Sequence, residues 1–100
     1  MRAVLVATAA LFLASTAEAQ SCRAVFARGI ERAAVRDIQG QLRAQGYQPG
    51  PIDGVVGKRT CEAVRRYQRS AGLRVDGILD SKLQNHLHFI ARQPPEAPRG

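Results

Sequence analysis

Two short segments of this chain carry the same pattern, and that repetition constrains the fold more than any other feature. Ile52-Asp53-Gly54-Val55-Val56-Gly57-Lys58-Arg59-Thr60 aligns with Val75-Asp76-Gly77-Ile78-Leu79-Asp80-Ser81-Lys82-Leu83. Each has an apolar residue, Asp-Gly, two apolar residues and then a helix start. Asp-Gly is what a tight turn demands, with the carboxylate closing the turn and the glycine taking positive φ. Asp53, Gly54, Gly57, Asp76 and Gly77 are therefore read first as turn residues, with a direct ligand role as the rival reading.

From Ile30 to Gln45, Val35, Ile38 and Leu42 recur at helical spacing, and Gly46 stands just past the last of them as a stop. The second helix is expected over 58–70, with Thr60, Ala63, Val64, Tyr67 and Ala71 on one face and Glu62, Arg65, Arg66 and Arg69 on the other. Asp80 is a good N-cap for a third helix reaching Ala91, with Leu83, Leu87 and Ile90 as its buried stripe. Three helices with short loops and one apolar face each predict a compact all-α three-helix bundle built on two Asp-Gly loop–helix repeats. A very short pairing of the two loops is the only strand expected.

The ends read differently. Met1-Arg2, the apolar run Ala3–Ala14 and Ala17-Glu18-Ala19 form a cleavable signal peptide, residues 1–19. The apolar run is too short to be a permanent membrane anchor, and Ala19-Gln20-Ser21 ahead of Cys22 is a poor lipidation site. Residues 20–33 form an N-terminal arm, expected to be irregular over 21–29, 34–91 the domain, and 92–100 a disordered proline-rich tail. A periplasmic or secreted location follows. One domain this small gains from a staple. Cys22 and Cys61 are the two cysteines, and in an exported protein an even pair favours a disulfide. The rival is a buried free Cys61. Two cysteines and two distant histidines lack metal-ligand spacing, and neither a metal nor another cofactor is called for.

Losing Arg2 and Glu18 together leaves the mature net charge at +7. Such a balance favours polyanions: nucleic acid, anionic lipid or carboxylate-rich wall polymer. Export argues against nucleic acid, including a helix-turn-helix reading of the Arg65–Arg69 stripe. No catalytic residues are identified, because the acids sit at turns, helix flanks or the tail, so an enzyme is not expected. His86 and His88 read as packing and surface residues. Gln39 and Gln68, beside apolar faces, read as partners for loop backbone groups.

Subtracting the repeat leaves Tyr47, Lys58, Arg59 and Thr60 as candidate ligand-binding residues. Lys58 and Arg59 stand at a helix start, where free N–H groups and the dipole favour an anion, and Arg pairs with carboxylates in a bidentate way. Against this stand a solvated Lys-Arg pair, a Tyr47 that plugs the core and a Thr60 that bonds back into the loop.

The spacing Val35-x-x-Ile38-Gln39-x-x-Leu42, Gly46-Tyr47-x-x-Gly50-x-x-Asp53-Gly54-x-x-Gly57-x-x-Thr60-x-x-Ala63-Val64-x-x-Tyr67-Gln68 and Gly72-Leu73-x-x-Asp76-Gly77 resembles the peptidoglycan-binding-like domain family. The resemblance covers Ala34 to Leu87 and implies a three-helix, non-catalytic module that binds cell-wall peptidoglycan. Binding is assigned to the loop and N-terminus of the second helix. The alternative is a periplasmic scaffold or regulator that binds a protein partner such as a cell-wall enzyme. The chain departs from the family in its second repeat, where Asp80 and Leu83 replace the usual Gly and Thr and no Trp follows.

Overall fold

The computed structural model describes residues 22–93. The expected signal peptide, residues 1–19, and nearly all of the expected tail, from residue 94 on, lie outside the described residues. Three helices carry the fold: α1 (Glu31–Ala44), α2 (Lys58–Ser70) and α3 (Ser81–Ala91). A two-residue strand, β1 (Arg23–Ala24), precedes them, and a second, β2 (Ile78–Leu79), lies between α2 and α3.

The apolar stripes meet in one core. Val35, Ile38 and Leu42 of α1, Ala63, Val64 and Tyr67 of α2, and Leu83 and Leu87 of α3 close around Leu79. Burying a side chain of the Leu, Ile or Val kind is worth roughly 1.5–3 kcal/mol, so this cluster is the main stabilising term. Tyr47 and Leu73 pack against its edges. Both arrive there by the same device. Gly46 (φ +95°) and Gly72 (φ +74°) end α1 and α2 in the left-handed region. The next backbone N–H then donates back five residues, from Tyr47 to the Leu42 carbonyl at 2.9 Å and from Leu73 to the Gln68 carbonyl at 2.8 Å. The start of α3 is capped by Asp80, whose carboxylate accepts from the Leu83 N–H at 3.0 Å.

Two expectations change. The arm is not wholly irregular: α1 begins at Glu31, as the helical spacing from Ile30 predicts, but ahead of it β1 pairs in parallel with β2, Arg23 opposite Ile78 and Ala24 opposite Leu79. The strand pair thus joins arm to second loop, where a pairing of the two loops was expected. The physical cause is the covalent link beside it. Cys22 and Cys61 form a disulfide, with Cα atoms 5.6 Å apart and a sequence separation of 39, which delivers the arm to the exposed edge of β2.

The repeat is also longer than the loops. Arg32, Arg36 and Gln39 on α1 precede Cys61, Arg65 and Gln68 on α2 by a constant 29 residues. The side chains at these positions do equivalent work. The Gln39 amide oxygen accepts from the Gly54 N–H at 2.8 Å, and its NH₂ reaches Asp53 Oδ1 at 3.4 Å. The Gln68 amide oxygen accepts from the Gly77 N–H at 3.0 Å, and its NH₂ donates to Asp76 Oδ1 at 3.0 Å. Gly54 (φ +81°) lies on the Arg32 and Arg36 stems, and Gly77 (φ +69°) on Cys22 Sγ and the Arg65 side chain. Each Asp-Gly loop is therefore clamped by a buried glutamine from the preceding helix.

Candidate ligand-binding groove

The two copies differ in length. Gln39 and Asp53 are 14 residues apart, Gln68 and Asp76 only 8, so the first loop carries six more residues. Those residues form a bulge through Gln48, Pro49, Gly50 and Pro51, in which Pro49 and Gly50 are buried against the fold. Between the bulge and the helices lies an open groove of about 490 Å³, lined by Arg43, Tyr47, Gly50, Arg59 and neighbouring loop residues. A smaller, more apolar groove of about 210 Å³ adjoins it, sharing Pro49, Pro51 and Arg59 and reaching Asp53, Val55 and Lys58.

Of the four candidates from the sequence, Tyr47, Lys58 and Arg59 line this double groove with their side chains at least partly exposed. Tyr47 is half-buried. Its ring packs edge-on to Tyr67, with centroids 5.7 Å apart. Its hydroxyl donates to Ser70 Oγ at 2.8 Å, since that oxygen itself donates to the Arg66 carbonyl. The ring thus serves as core edge and groove wall at once. The Tyr67 hydroxyl in turn hydrogen-bonds with His86 Nδ1. Burial, helped by the neighbouring Tyr47, pushes the Tyr67 phenol up and keeps it neutral.

Thr60 forms part of the inner wall of the smaller groove, with its hydroxyl turned into the fold. It is 2 % exposed, donates to the Pro49 carbonyl at 2.8 Å and accepts from Gln39 Nε2 at 3.0 Å. Its hydroxyl is occupied holding the bulge to α2. Asp53 is tied as well, accepting from the Val55 N–H at 2.9 Å. That bond, supported by Gln39 and by Arg32 nearby, holds its carboxyl below the usual range. Gly57 is the N-cap of α2 in extended conformation, with no side chain to accept from the first turn.

Arg43 is the residue that sequence reasoning missed. It sits in the last turn of α1, and the bulge brings Tyr47 and Arg59 to it. Gly50 (φ +87°) lies against the Arg59 stem, where an added Cβ would meet Arg59 Cβ at 3.3 Å. Among the described residues, neither Arg43, Lys58 nor Arg59 has a carboxylate within ion-pairing distance; Asp37 of α1 instead meets His88 of α3 at 2.6 Å. The groove is positive, aromatic at one wall and apolar at its floor. No cluster of metal-binding side chains occurs among the described residues.

A family model described as "Putative peptidoglycan binding domain" matches residues 31–87. The chain belongs to this family. The Bacillus subtilis spore cortex-lytic enzyme is 41 % identical over 64 residues, covering 63 % of this chain and 21 % of that protein. Its Bacillus cereus counterpart is 36 % identical over 63 residues, covering 63 % and 24 %. N-acetylmuramoyl-L-alanine amidase CwlM of Mycobacterium tuberculosis is 35 % identical over 57 residues, covering 57 % and 14 %. The chain thus spans at most about a quarter of the length of these relatives. No solved structure matches it. No helix among the described residues is long and apolar enough to cross a membrane.

Proposed function

We infer that this chain is an exported, non-catalytic module that holds bacterial peptidoglycan in the groove between the first-loop bulge and α2. The observation that carries the reading is the six-residue extension of the first loop. It creates a groove the second copy lacks, and Arg43, Tyr47 and Arg59 converge on it without carboxylate partners. A peptidoglycan stem peptide ends in a carboxylate, which an exposed Arg fork matches in two parallel hydrogen bonds. Glycan packs against the free face of Tyr47. Lys58 stands at the uncapped start of α2, where the helix dipole adds to its charge. Thr60 and Gly50 act as positioning residues, the first fixing the bulge and the second letting it close on the Arg59 stem.

The test is co-sedimentation of the mature protein with insoluble peptidoglycan. Arg59→Ala, Lys58→Ala and Arg43→Ala should each reduce the bound fraction, while Arg69→Ala, an exposed cation outside the groove, should not. Sedimentation no greater than that of an unrelated basic protein of equal charge would refute the reading. Recovery of one stoichiometric protein partner with no polymer binding would replace it with the scaffold alternative.

A further inference from the structure

The adjoining apolar groove beside α2 has a counterpart. Shifted by 23 residues, Pro51, Asp53, Val55, Gly57, Arg59 and Thr60 become Arg74, Asp76, Ile78, Asp80, Lys82 and Leu83. All six of the latter line one groove of about 370 Å³ at the start of α3, which His86 closes from the next turn. The two grooves share a plan. An apolar floor (Val55 or Ile78) follows a clamped Asp-Gly turn, and an exposed cation (Arg59 or Lys82) stands at the second helical position. In both, the turn aspartate is taken up by the fold: Asp76 Oδ1 accepts from the Ile78 N–H and from Gln68, each at 3.0 Å, as Asp53 does from Val55 and Gln39.

We propose that this second groove is a second subsite for the same polymer, taking the next carboxylate-bearing glycopeptide unit along the chain. The inference rests on the peptidoglycan reading above. The second groove has its own cations, Arg74 and Lys82, neither paired with a carboxylate among the described residues. It also contains the Asp80 carboxylate, which caps α3 where Gly57 leaves α2 uncapped. It is therefore closer to neutral than the first and is the weaker of the two. A weak second site matters only for a repeating ligand. Once one unit is held, the next is presented at high effective concentration, and overall affinity rises without any new contact at the first site, by roughly 10²–10⁴ where the spacing fits both sites. This also gives a use to a repeat that lacks the bulge.

The experiment titrates the isotope-labelled mature protein with a soluble disaccharide-peptide monomer and follows backbone amides by NMR, alongside co-sedimentation of variants with intact peptidoglycan. Monomer should shift amides of residues 53–60 first and of residues 76–83 at higher concentration. Lys82→Ala and Arg74→Ala should each weaken polymer binding by about three- to tenfold. They should leave monomer affinity at the first groove unchanged. Arg69→Ala serves as the charge-matched control. Shifts confined to the first loop, with Lys82→Ala and Arg74→Ala sedimenting like the parent, would overturn the second subsite and leave the first standing. No shifts and no sedimentation would overturn both.

Discussion

The glutamine clamp gives the sharpest test of how the first loop is built. Gln39 is fully buried and serves four groups of the loop and helix start: the Gly54 N–H at 2.8 Å, the Val55 carbonyl at 3.0 Å, Thr60 Oγ1 at 3.0 Å and Asp53 Oδ1 at 3.4 Å. Gln39→Leu keeps the volume, so it opens no cavity; it removes the polar partners. The half-buried Gly54 N–H loses its acceptor and carries much of the penalty of an unsatisfied donor, about 1–3 kcal/mol. The Val55 carbonyl lies in an exposed residue and can turn to water, and Thr60 keeps its bond to Pro49, so these add about 1 kcal/mol. A loss of about 2–4 kcal/mol is expected. With a urea m-value of about 1 kcal/mol/M for a domain this small, the unfolding midpoint should fall by about 2 M or more. Gln39→Glu adds a signed control. A carboxylate aimed at Asp53, Thr60 and the Val55 carbonyl is disfavoured, so the folded pKa of the introduced carboxyl rises above the ordinary value. That variant should be less stable than Gln39→Leu at neutral pH and should recover as the pH falls through its folded pKa. Gln39→Leu within about 0.5 kcal/mol of the parent, or Gln39→Glu losing stability from about pH 7 to about pH 5, would refute the clamp.

The disulfide closes a loop with a sequence separation of 39, which on the chain-entropy account is worth about 4 kcal/mol. Cys22→Ser with Cys61→Ser should therefore lower the melting temperature by about 15–30 °C in calorimetry, and a drop under about 5 °C would show that the arm is not held by this link. Acid should also unfold the domain. Burial raises the Asp37 and Asp76 carboxyls, but hydrogen bonds from Gln84 and His88 to the first, and from Ile78 and Gln68 to the second, outweigh it and hold both low; the Val55 N–H does the same for Asp53. Depressed carboxylates stabilise above their unfolded pKa, so urea stability should be flat near neutrality and fall below about pH 4. Asp37→Asn should flatten part of that fall, and an identical acid profile would remove Asp37 from the account.

The helices were legible because each has a strong apolar period and a stop. Gly46 and Gly72 are plain in the sequence, and the pattern places α2 at residues 58–70, where it lies. Thr60 shows two signals in conflict. Its place beside Lys58 and Arg59 suggested a ligand contact, while the helical wheel put it on the face of Ala63, Val64 and Tyr67, which is buried. The β1–β2 pair was not legible, because two residues have no period and their meeting depends on a covalent link between distant positions. Arg43 was missed for a similar reason: the path of the bulge, not any local pattern, brings Tyr47 and Arg59 to it. The 29-residue offset of Gln39 and Gln68 was readable in principle, but only once side chains spaced along helices were compared as well as the loops.

The start of α2 is held at three consecutive residues, and this bears on the binding proposed there. The Arg59 stem lies against Gly50, Thr60 bonds to Pro49 and Gln39, and Cys61 is joined to Cys22. The first two tie the bulge to the helix; the third ties the helix to the arm. Cys61 occupies the position that Arg32 holds in the first copy, so the staple falls where the repeat already brings helix and Asp-Gly turn together. Such fixing reduces the ordering cost that binding would otherwise carry, about 0.5–1.5 kcal/mol for each side chain immobilised. The Arg59 head stays exposed while its stem and helix turn are held. At α3 the corresponding Lys82 has no bulge beside it, and that junction is held instead by the Asp80 cap and by the β1–β2 pair just before it. The junction with the bulge should therefore dominate affinity, and the other should matter only when a polymer already held at the first presents its next unit.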